Sequence, residues 1–201
     1  MVTSPRERRL TALIGMLAVL QRLYVFDAAS ARVAGAEPDP TRRAVLEGWM
    51  ETVGKSFGAM IHGQDLDEDV LDALRPLLPW LKDELDLHYL LHDSSASLRE
   101  QAAFGAAHVY SSDNRIKAEH ACAQALGRTE QADWLLQQVQ RSMGLVQQAN
   151  AAVESSALGE PSDEAARFIS SHVQAAVGEE SRLKGEIDAV PTLLEGREPL
   201  G

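Results

Sequence analysis

Apolar residues recur at alternating steps of three and four along most of the chain, which is the spacing of one face of an α-helix. The first long run shows it most clearly, with the stripe Leu10, Leu13, Leu17, Leu20, Tyr24, Ala28 and Ala31. No window alternates β-branched and aromatic residues with polar ones as a strand does. The pattern therefore predicts an all-α fold, an antiparallel multi-helix bundle of about six to seven helices.

Start and stop signals place the helices along the chain. Ser4-Pro5 and Asp39-Pro40 each combine a capping side chain with a proline at the first helical position. The segment from Ser97 to Glu100 has the spacing of a capping box, and Gly127 stands where the following helix should stop. After a break at residues 159–162, the sequence predicts one final helix that continues to Pro191.

The length of 201 residues suits one domain with a sizeable core. We expect a single helical-bundle domain over residues 1–195 and a flexible tail over 196–201. Three arginines precede the uncharged run from Leu10 to Gln21, as in a secretory signal, but the helical register continues beyond that run. The run is also too short to span a bilayer, so we interpret it as a buried helix and expect no membrane association.

The net charge of −11 and the sequence pI near 5.0 make nucleic acid an unfavourable partner, because phosphate binding needs a basic surface. Cys122 is the single cysteine, which excludes an internal disulfide and a thiolate metal cluster. This composition is typical of a reducing compartment. We therefore expect a cytoplasmic protein.

Polar residues interrupt several predicted apolar faces. His88 falls at the centre of such a face, with Glu84 and His92 one turn to either side. An isolated buried carboxylate costs several kcal/mol unless it is paired or coordinated, so these residues should have partners. Similar positions elsewhere extend the set of candidate metal ligands, which comprises Glu84, His88, His92, Glu119, His172 and Glu179.

Two interpretations of these polar residues stay open. Glu and His from facing helices could hold a divalent metal such as iron, zinc or manganese in the bundle core. The spacing Glu84-x-x-x-His88 differs from the Glu-x-x-His of di-iron bundles. The residues could instead form a hydrogen-bonded polar core, lie at a wet end of the bundle, or face a partner subunit.

Two short segments resemble known metal-dependent families. Residues 90–93, with the sequence Leu-Leu-His-Asp, resemble the metal-binding doublet of HD phosphohydrolases, and His62 lies upstream where such enzymes carry another ligand. Residues 125–136 are similar to the helical-hairpin turn of stress-related ferritin-like proteins. The carboxylates that follow in that family are replaced here by Gln140, Arg141 and Ser142.

Phosphate-binding glycine loops, paired cysteine motifs and a serine elbow are missing from the sequence. The leading hypothesis is therefore a non-enzymatic helical-bundle protein that acts through self-association or a protein partner, with a polar interior pocket as an added feature. The alternative is a metal-binding bundle, either ferritin-like or HD-like.

Two structural expectations accompany the leading hypothesis. Helix one carries surplus apolar residues outside its main stripe, namely Met16, Val19, Leu23 and Phe26, which favours a homo-oligomer that covers them. His88 should be the most buried of the six histidines and should lie within reach of a carboxylate from another helix.

Overall fold

The computed structural model describes residues 4–90, 92 and 95–199, and these form helices and connecting turns without a strand. The predicted all-α bundle is confirmed. The helices of the described residues are α1 (Pro5–Ala34), α2 (Pro40–Ile61), α3 (Glu68–Leu74), α4 (Leu77–Leu90), α5 (Leu98–Ala125), α6 (Thr129–Leu158), α7 (Asp163–Gly178) and α8 (Glu180–Leu194). A single residue separates α7 from α8, so the two continue one another along the bundle.

The helices begin at the capping residues that the sequence indicated. Ser4 and Ser97 each form a capping box with the glutamate three residues later. The Asp39 side chain accepts hydrogen bonds from the backbone N–H groups of Thr41 and Arg42. Gly35 ends α1 in the left-handed region at φ 68°, where a side chain would be strained. Local sequence therefore determines most helix boundaries.

The predicted final helix is wrong in one respect, because the structure divides it at Glu179. Gly178 precedes the break and weakens helix propensity there. The backbone at Glu179 stays close to helical, with φ −88° and ψ −11°. α8 also continues past Pro191, the predicted end, as far as Leu194. The break directs the Glu179 side chain to a buried arginine on α1.

α1 is the central helix, and side-chain bonds show the direction of its neighbours. Arg6 near the start of α1 donates to the carbonyl of Met60 at the end of α2, so these helices are antiparallel. Arg99 at the start of α5 donates to the carbonyl of Val33 at the end of α1, so α5 is antiparallel as well. α7 and α8 together also run antiparallel to α1, whereas α6 runs parallel to it.

The surplus apolar residues of helix one are covered within the chain. Met16, Val19 and Leu23 are almost fully buried, and Phe26 is half-buried against the core. The reason is the central place of α1, which packs against α2, α4, α5, α6 and α8. The expectation that a second subunit must cover these residues is therefore wrong, and any self-association has to use another surface.

Within the described residues α1 is the one helix that is long and apolar enough to cross a membrane. Most of its apolar window, 61%, is buried inside the bundle, as in the core helix of a globular protein. The described part of the expected tail lies against α1, since Arg8 donates to the Gly196 carbonyl at 2.8 Å and pairs with Glu198.

Candidate functional site

A fully buried arginine lies at the centre of the bundle. Arg22 of α1 has 0% exposure, and burial of an unpaired charge would cost several kcal/mol. Its guanidinium instead donates to the Tyr89 hydroxyl at 2.6 Å and to Glu179 Oε2 at 2.8 Å. It also lies 3.1 Å from His108 Nδ1 and 3.4 Å from Ser111 Oγ. Tyr89, Glu179 and Ser111 thus accept hydrogen bonds from the guanidinium, and His108, whose Nδ1 donates to Glu179, lies beside it.

These neighbours of Arg22 come from two helices and from the junction between two others. Tyr89 lies in α4, and its hydroxyl donates onward to the Ala176 carbonyl of α7 at 3.0 Å. His108 and Ser111 are three residues apart in α5 and so lie on one face of that helix. Glu179 occupies the break between α7 and α8. The contacts of Arg22 thus join α1, α4, α5 and the α7–α8 junction.

Glu179 is the acidic centre of this cluster. Burial on its own would raise the pKa of its carboxyl, but the hydrogen bond from His108 and the charge of Arg22 lower that pKa to about 2. Glu179 Oε2 lies 3.1 Å from His108 Nδ1, and Oε1 accepts from Arg182 at 2.7 Å. Glu179 is therefore a carboxylate at neutral pH.

The ion pairs continue from Glu179 as a ladder along α8 and α5. Arg182 donates a hydrogen bond to Glu186 at 2.7 Å. Arg115 donates two more to the same carboxylate, at 3.1 and 2.6 Å. Arg115 Nε lies 3.5 Å from Glu119, the last acid of the ladder. Burial raises the pKa of Glu119. The structure thus places Glu119 and Glu179 in one network, in which arginines separate the acids.

His172 lies beside this network on α7. Its ring centroid is 5.7 Å from that of His108 and 4.3 Å from that of Phe168. Its buried Nδ1 has no hydrogen-bond partner within residues 4–90, 92 and 95–199. Burial, and to a lesser degree the charge of His108, lowers the pKa of its imidazole. The other side of His172 lines a groove of about 540 Å³ between α6 and α7.

His88 is the most buried of the six histidines, at 2% exposure, as the sequence predicted. The predicted carboxylate partner from another helix is wrong, because both ring nitrogens lack a hydrogen-bond partner among the described residues. The ring stacks on Phe104 at 4.7 Å and meets the edge of Phe26 at the same distance. Burial, and to a lesser degree Arg22, lowers the pKa of His88 to about 3.

Glu84 belongs to a separate ion pair on the other side of α4. Arg42 of α2 forms an ion pair with Glu84 Oε2 at 2.6 Å and donates a hydrogen bond to Asp27 Oδ2 at 2.5 Å, so it joins α1, α2 and α4. Burial raises the pKa of Asp27 despite the bond from Arg42. Glu84 is therefore engaged by an arginine and does not approach His88 as a ligand partner.

His92 stacks on Phe104, with ring centroids 4.4 Å apart. Asp93, the second residue of the HD-like doublet, lies outside the described residues, as does Leu91 of the apolar face of this helix. The six candidate ligands are therefore dispersed over several sites. Across the part of the chain that the structure describes, no three His, Cys, Asp or Glu side chains could hold one metal ion.

The arginines that organise the interior, Arg22 and Arg115, are not among the residues that the sequence pattern singles out as candidates. The sequence around Arg22 does indicate that it is buried, because Leu20 and Leu23 flank it in a helix that is apolar on nearly every side. A charged residue in such a helix is buried when the helix is central, and it then needs an acid from another helix.

The outer side of α6 is the second unusual feature of the molecule. α6 packs on α5 through one narrow stripe, which includes Leu135 and Ala149, and Ser142 donates to Asp113 at 2.6 Å. Four large apolar side chains are exposed along the two flanks of this stripe, and we call these flanks together the α6 face. Trp134 and Leu145 lie on one flank, and Leu136 and Met143 lie on the other, about 160–180° away around the helix.

The α6 face is almost uncharged. Between Asp133 and Glu154 the single charged residue is Arg141, and the remaining polar residues are glutamine, asparagine and serine. Trp134 is 58% exposed and Met143 55% exposed, although both residues are large and apolar. Single exposed apolar side chains are common, whereas here each flank of one nearly uncharged helix exposes two large ones.

Comparison of the chain with protein-family models, with curated proteins and with solved structures finds no match. The function of the chain is therefore inferred from the geometry of the buried network and of the α6 face.

Proposed function

We propose that this chain is a non-enzymatic interaction protein that self-associates through the α6 face. The observation that carries the proposal is the nearly uncharged stretch from 134 to 153 of α6, which exposes large apolar side chains on both flanks in a chain with a net charge of −11. The cores of protein interfaces are depleted of charged residues and enriched in tryptophan and methionine. Trp134 and Met143 supply that composition.

A second copy of the chain is the occupant that the charges favour. Two acidic molecules repel one another wherever their charged surfaces approach. The stretch from 134 to 153 has only Arg141 and no acid, so two copies can meet there without opposing carboxylates. A basic partner protein would instead be attracted to the acidic surfaces elsewhere on the molecule.

The interior supports a structural role for the Arg22 cluster. Arg22 and His88 are both buried, and neither lines any of the cavities described for the bundle. The cluster fixes four helices relative to one another and so keeps α5, the support of α6, in place. The metal-binding alternative gains no support, because the candidate ligands are dispersed and several are held by arginines.

Light scattering after size-exclusion chromatography tests the proposal. The wild type should be dimeric at micromolar concentration, and a variant with Trp134→Ala and Leu145→Ala should have a dissociation constant at least about tenfold higher, since aromatic anchors dominate interfaces. Leu158→Ala is the matched control, because Leu158 is exposed on the same helix but lies outside the α6 face. A wild type that stays monomeric at high micromolar concentration would refute self-association.

A further inference from the structure

The groove between α6 and α7 takes no part in the proposed self-association, because its described lining contains no residue of the α6 face. Its volume of about 540 Å³ lies within the range of roughly 300–1,000 Å³ that is usual for pockets that bind small molecules. Gln148 and Ala151 line it on the α6 side, and Phe168, Ser171 and His172 line it on the α7 side. The groove is therefore large enough for a small organic ligand.

The α7 wall of the groove is aromatic and uncharged. The half-buried rings of Phe168 and His172 lie one turn apart, with centroids separated by 4.3 Å. A Cβ atom on Gly105 of α5 would lie 3.6 Å from the Cβ of His172, so close packing between α5 and α7 holds this wall in place. Burial lowers the pKa of His172, so its imidazole is neutral at pH 7. Such a wall suits an aromatic ring.

The rim of the groove has two charged side chains without partners. Glu164 and Arg167 both line the groove and are exposed. Although they are three residues apart on α7, neither side chain forms a hydrogen bond or an ion pair within the residues that the structure describes. Most arginines of this chain pair with an acid, as Arg32 does with Glu154. The rim thus presents one free positive and one free negative charge beside the aromatic wall.

We propose that this groove binds a free aromatic α-amino acid as its zwitterion. The ring packs on Phe168 and His172. The carboxylate pairs with Arg167, and the ammonium pairs with Glu164. This site goes beyond the proposed self-association and does not depend on it.

The two rim charges select the zwitterion over simpler aromatic ligands. A ligand with a carboxylate alone would bring a like charge toward Glu164, and a ligand with an ammonium alone would bring one toward Arg167. A neutral ligand would leave both rim charges without a partner. An aromatic α-amino acid supplies the ring and both opposite charges in one small molecule.

A titration with L-phenylalanine, followed by backbone amide NMR of the isotope-labelled full chain, tests the proposal. The resonances of Phe168, Ser171 and His172 should shift, with a dissociation constant on the order of 0.1–1 mM for a ligand of about a dozen heavy atoms. Phenylpropionate lacks the ammonium and phenethylamine lacks the carboxylate. Each should bind about two- to fivefold more weakly, because it forms one exposed ion pair fewer.

Two arginine variants assign the carboxylate contact. Arg167→Gln should weaken the binding of L-phenylalanine about two- to fivefold and should not weaken that of phenethylamine, which has no carboxylate. Arg141→Gln is the matched control and should bind as the wild type does. Arg141 is likewise exposed and without an ion pair within the described residues, but it does not line the groove.

Three results would overturn the proposal. They are the absence of shifts in the groove at about 10 mM L-phenylalanine, equal binding of the three ligands, and an equal effect of the two arginine variants. Light scattering of the same samples reports self-association separately, so a failed titration leaves the proposed function standing. Shifts in the groove, the expected order of the three ligands and a loss confined to Arg167→Gln together support the site.

Discussion

Arg22 and His88 are neighbouring polar residues of the same core, and their surroundings are opposite. Arg22 has 0% exposure and bonds to Tyr89 and Glu179, among others. His88 has 2% exposure, and its ring stacks on that of Phe104, while neither ring nitrogen has a hydrogen-bond partner in the part of the chain that the structure describes. Arg22 is held by hydrogen bonds and an ion pair, whereas His88 packs through its ring, as an apolar aromatic side chain would. Burial of a polar side chain alone therefore does not identify a functional site.

The largest effect that we expect from this difference concerns Arg22. Arg22→Ala should lower the free energy of unfolding by about 2–5 kcal/mol, because it removes a fully buried side chain and the donor that Tyr89 and Glu179 Oε2 share, although Arg182 still pairs with Glu179. Urea denaturation followed by circular dichroism measures the change. Arg22→Met is the matched control: it fills most of the same volume without the charge, so its loss measures the missing hydrogen bonds and its difference from Arg22→Ala measures packing. A loss below about 1 kcal/mol for Arg22→Ala would show that the network does not stabilise the fold.

Glu179 should give the next largest effect, and the effect should depend on pH. The folded state holds the pKa of Glu179 at about 2, below its ordinary value of 4.5. The unfolded state therefore binds the proton more readily, so the stabilisation is complete above pH 4.5 and is lost as the pH falls toward 2. Glu179→Gln should lower stability by about 1–3 kcal/mol at neutral pH, and the loss should shrink in acid. An equal loss at neutral and acid pH would contradict the charge-based explanation.

His88 should give the smallest effect at neutral pH. His88→Phe removes two unpartnered nitrogens and keeps a ring of similar shape, so the free energy of unfolding should stay equal or rise by about 1 kcal/mol. Thermal or urea unfolding at pH 7 measures it. A loss of more than about 2 kcal/mol would reveal a polar interaction of His88 that the structure does not show.

The same variant should remove an acid-sensitive component of stability. The pKa of His88 is about 3 in the folded state against 6.5 ordinarily, so the folded state resists protonation. The wild type should therefore lose stability as the pH falls from 6.5 toward 3. His88→Phe should show a flatter dependence over that range, and an unchanged slope would mean that His88 is not buried as a neutral imidazole.

The contrast also shows how far the sequence alone could predict this molecule. Helix starts were predictable because the caps at Ser4, Asp39 and Ser97 are local chemistry. Burial of His88 was predictable from helical periodicity, but its neighbours were not, because Phe26 and Phe104 come from other helices. Periodicity indicates which side of a helix faces inward, and it carries no information on which residue of another helix will be opposite.

The break at Glu179 could not be predicted from helical periodicity either. The division of α7 from α8 accompanies a contact with Arg22, a residue 157 positions earlier. The apolar residues of helix one suggested an uncovered surface, yet five other helices cover them. The α6 face could have been found from sequence, because a long helix with one charge between Asp133 and Glu154 is unusual in an acidic chain.

The proposed function assigns structural roles to the two interior sites and self-association to the α6 face. Sedimentation equilibrium of the wild type at low and high salt tests this most directly. We predict a dimer whose dissociation constant stays equal or falls at high salt. Salt screens the repulsion between the acidic copies, and an interface without ion pairs has no attraction that salt could weaken. A monomer at high micromolar concentration in both salts, or a dimer that dissociates as salt rises, would contradict association through the α6 face.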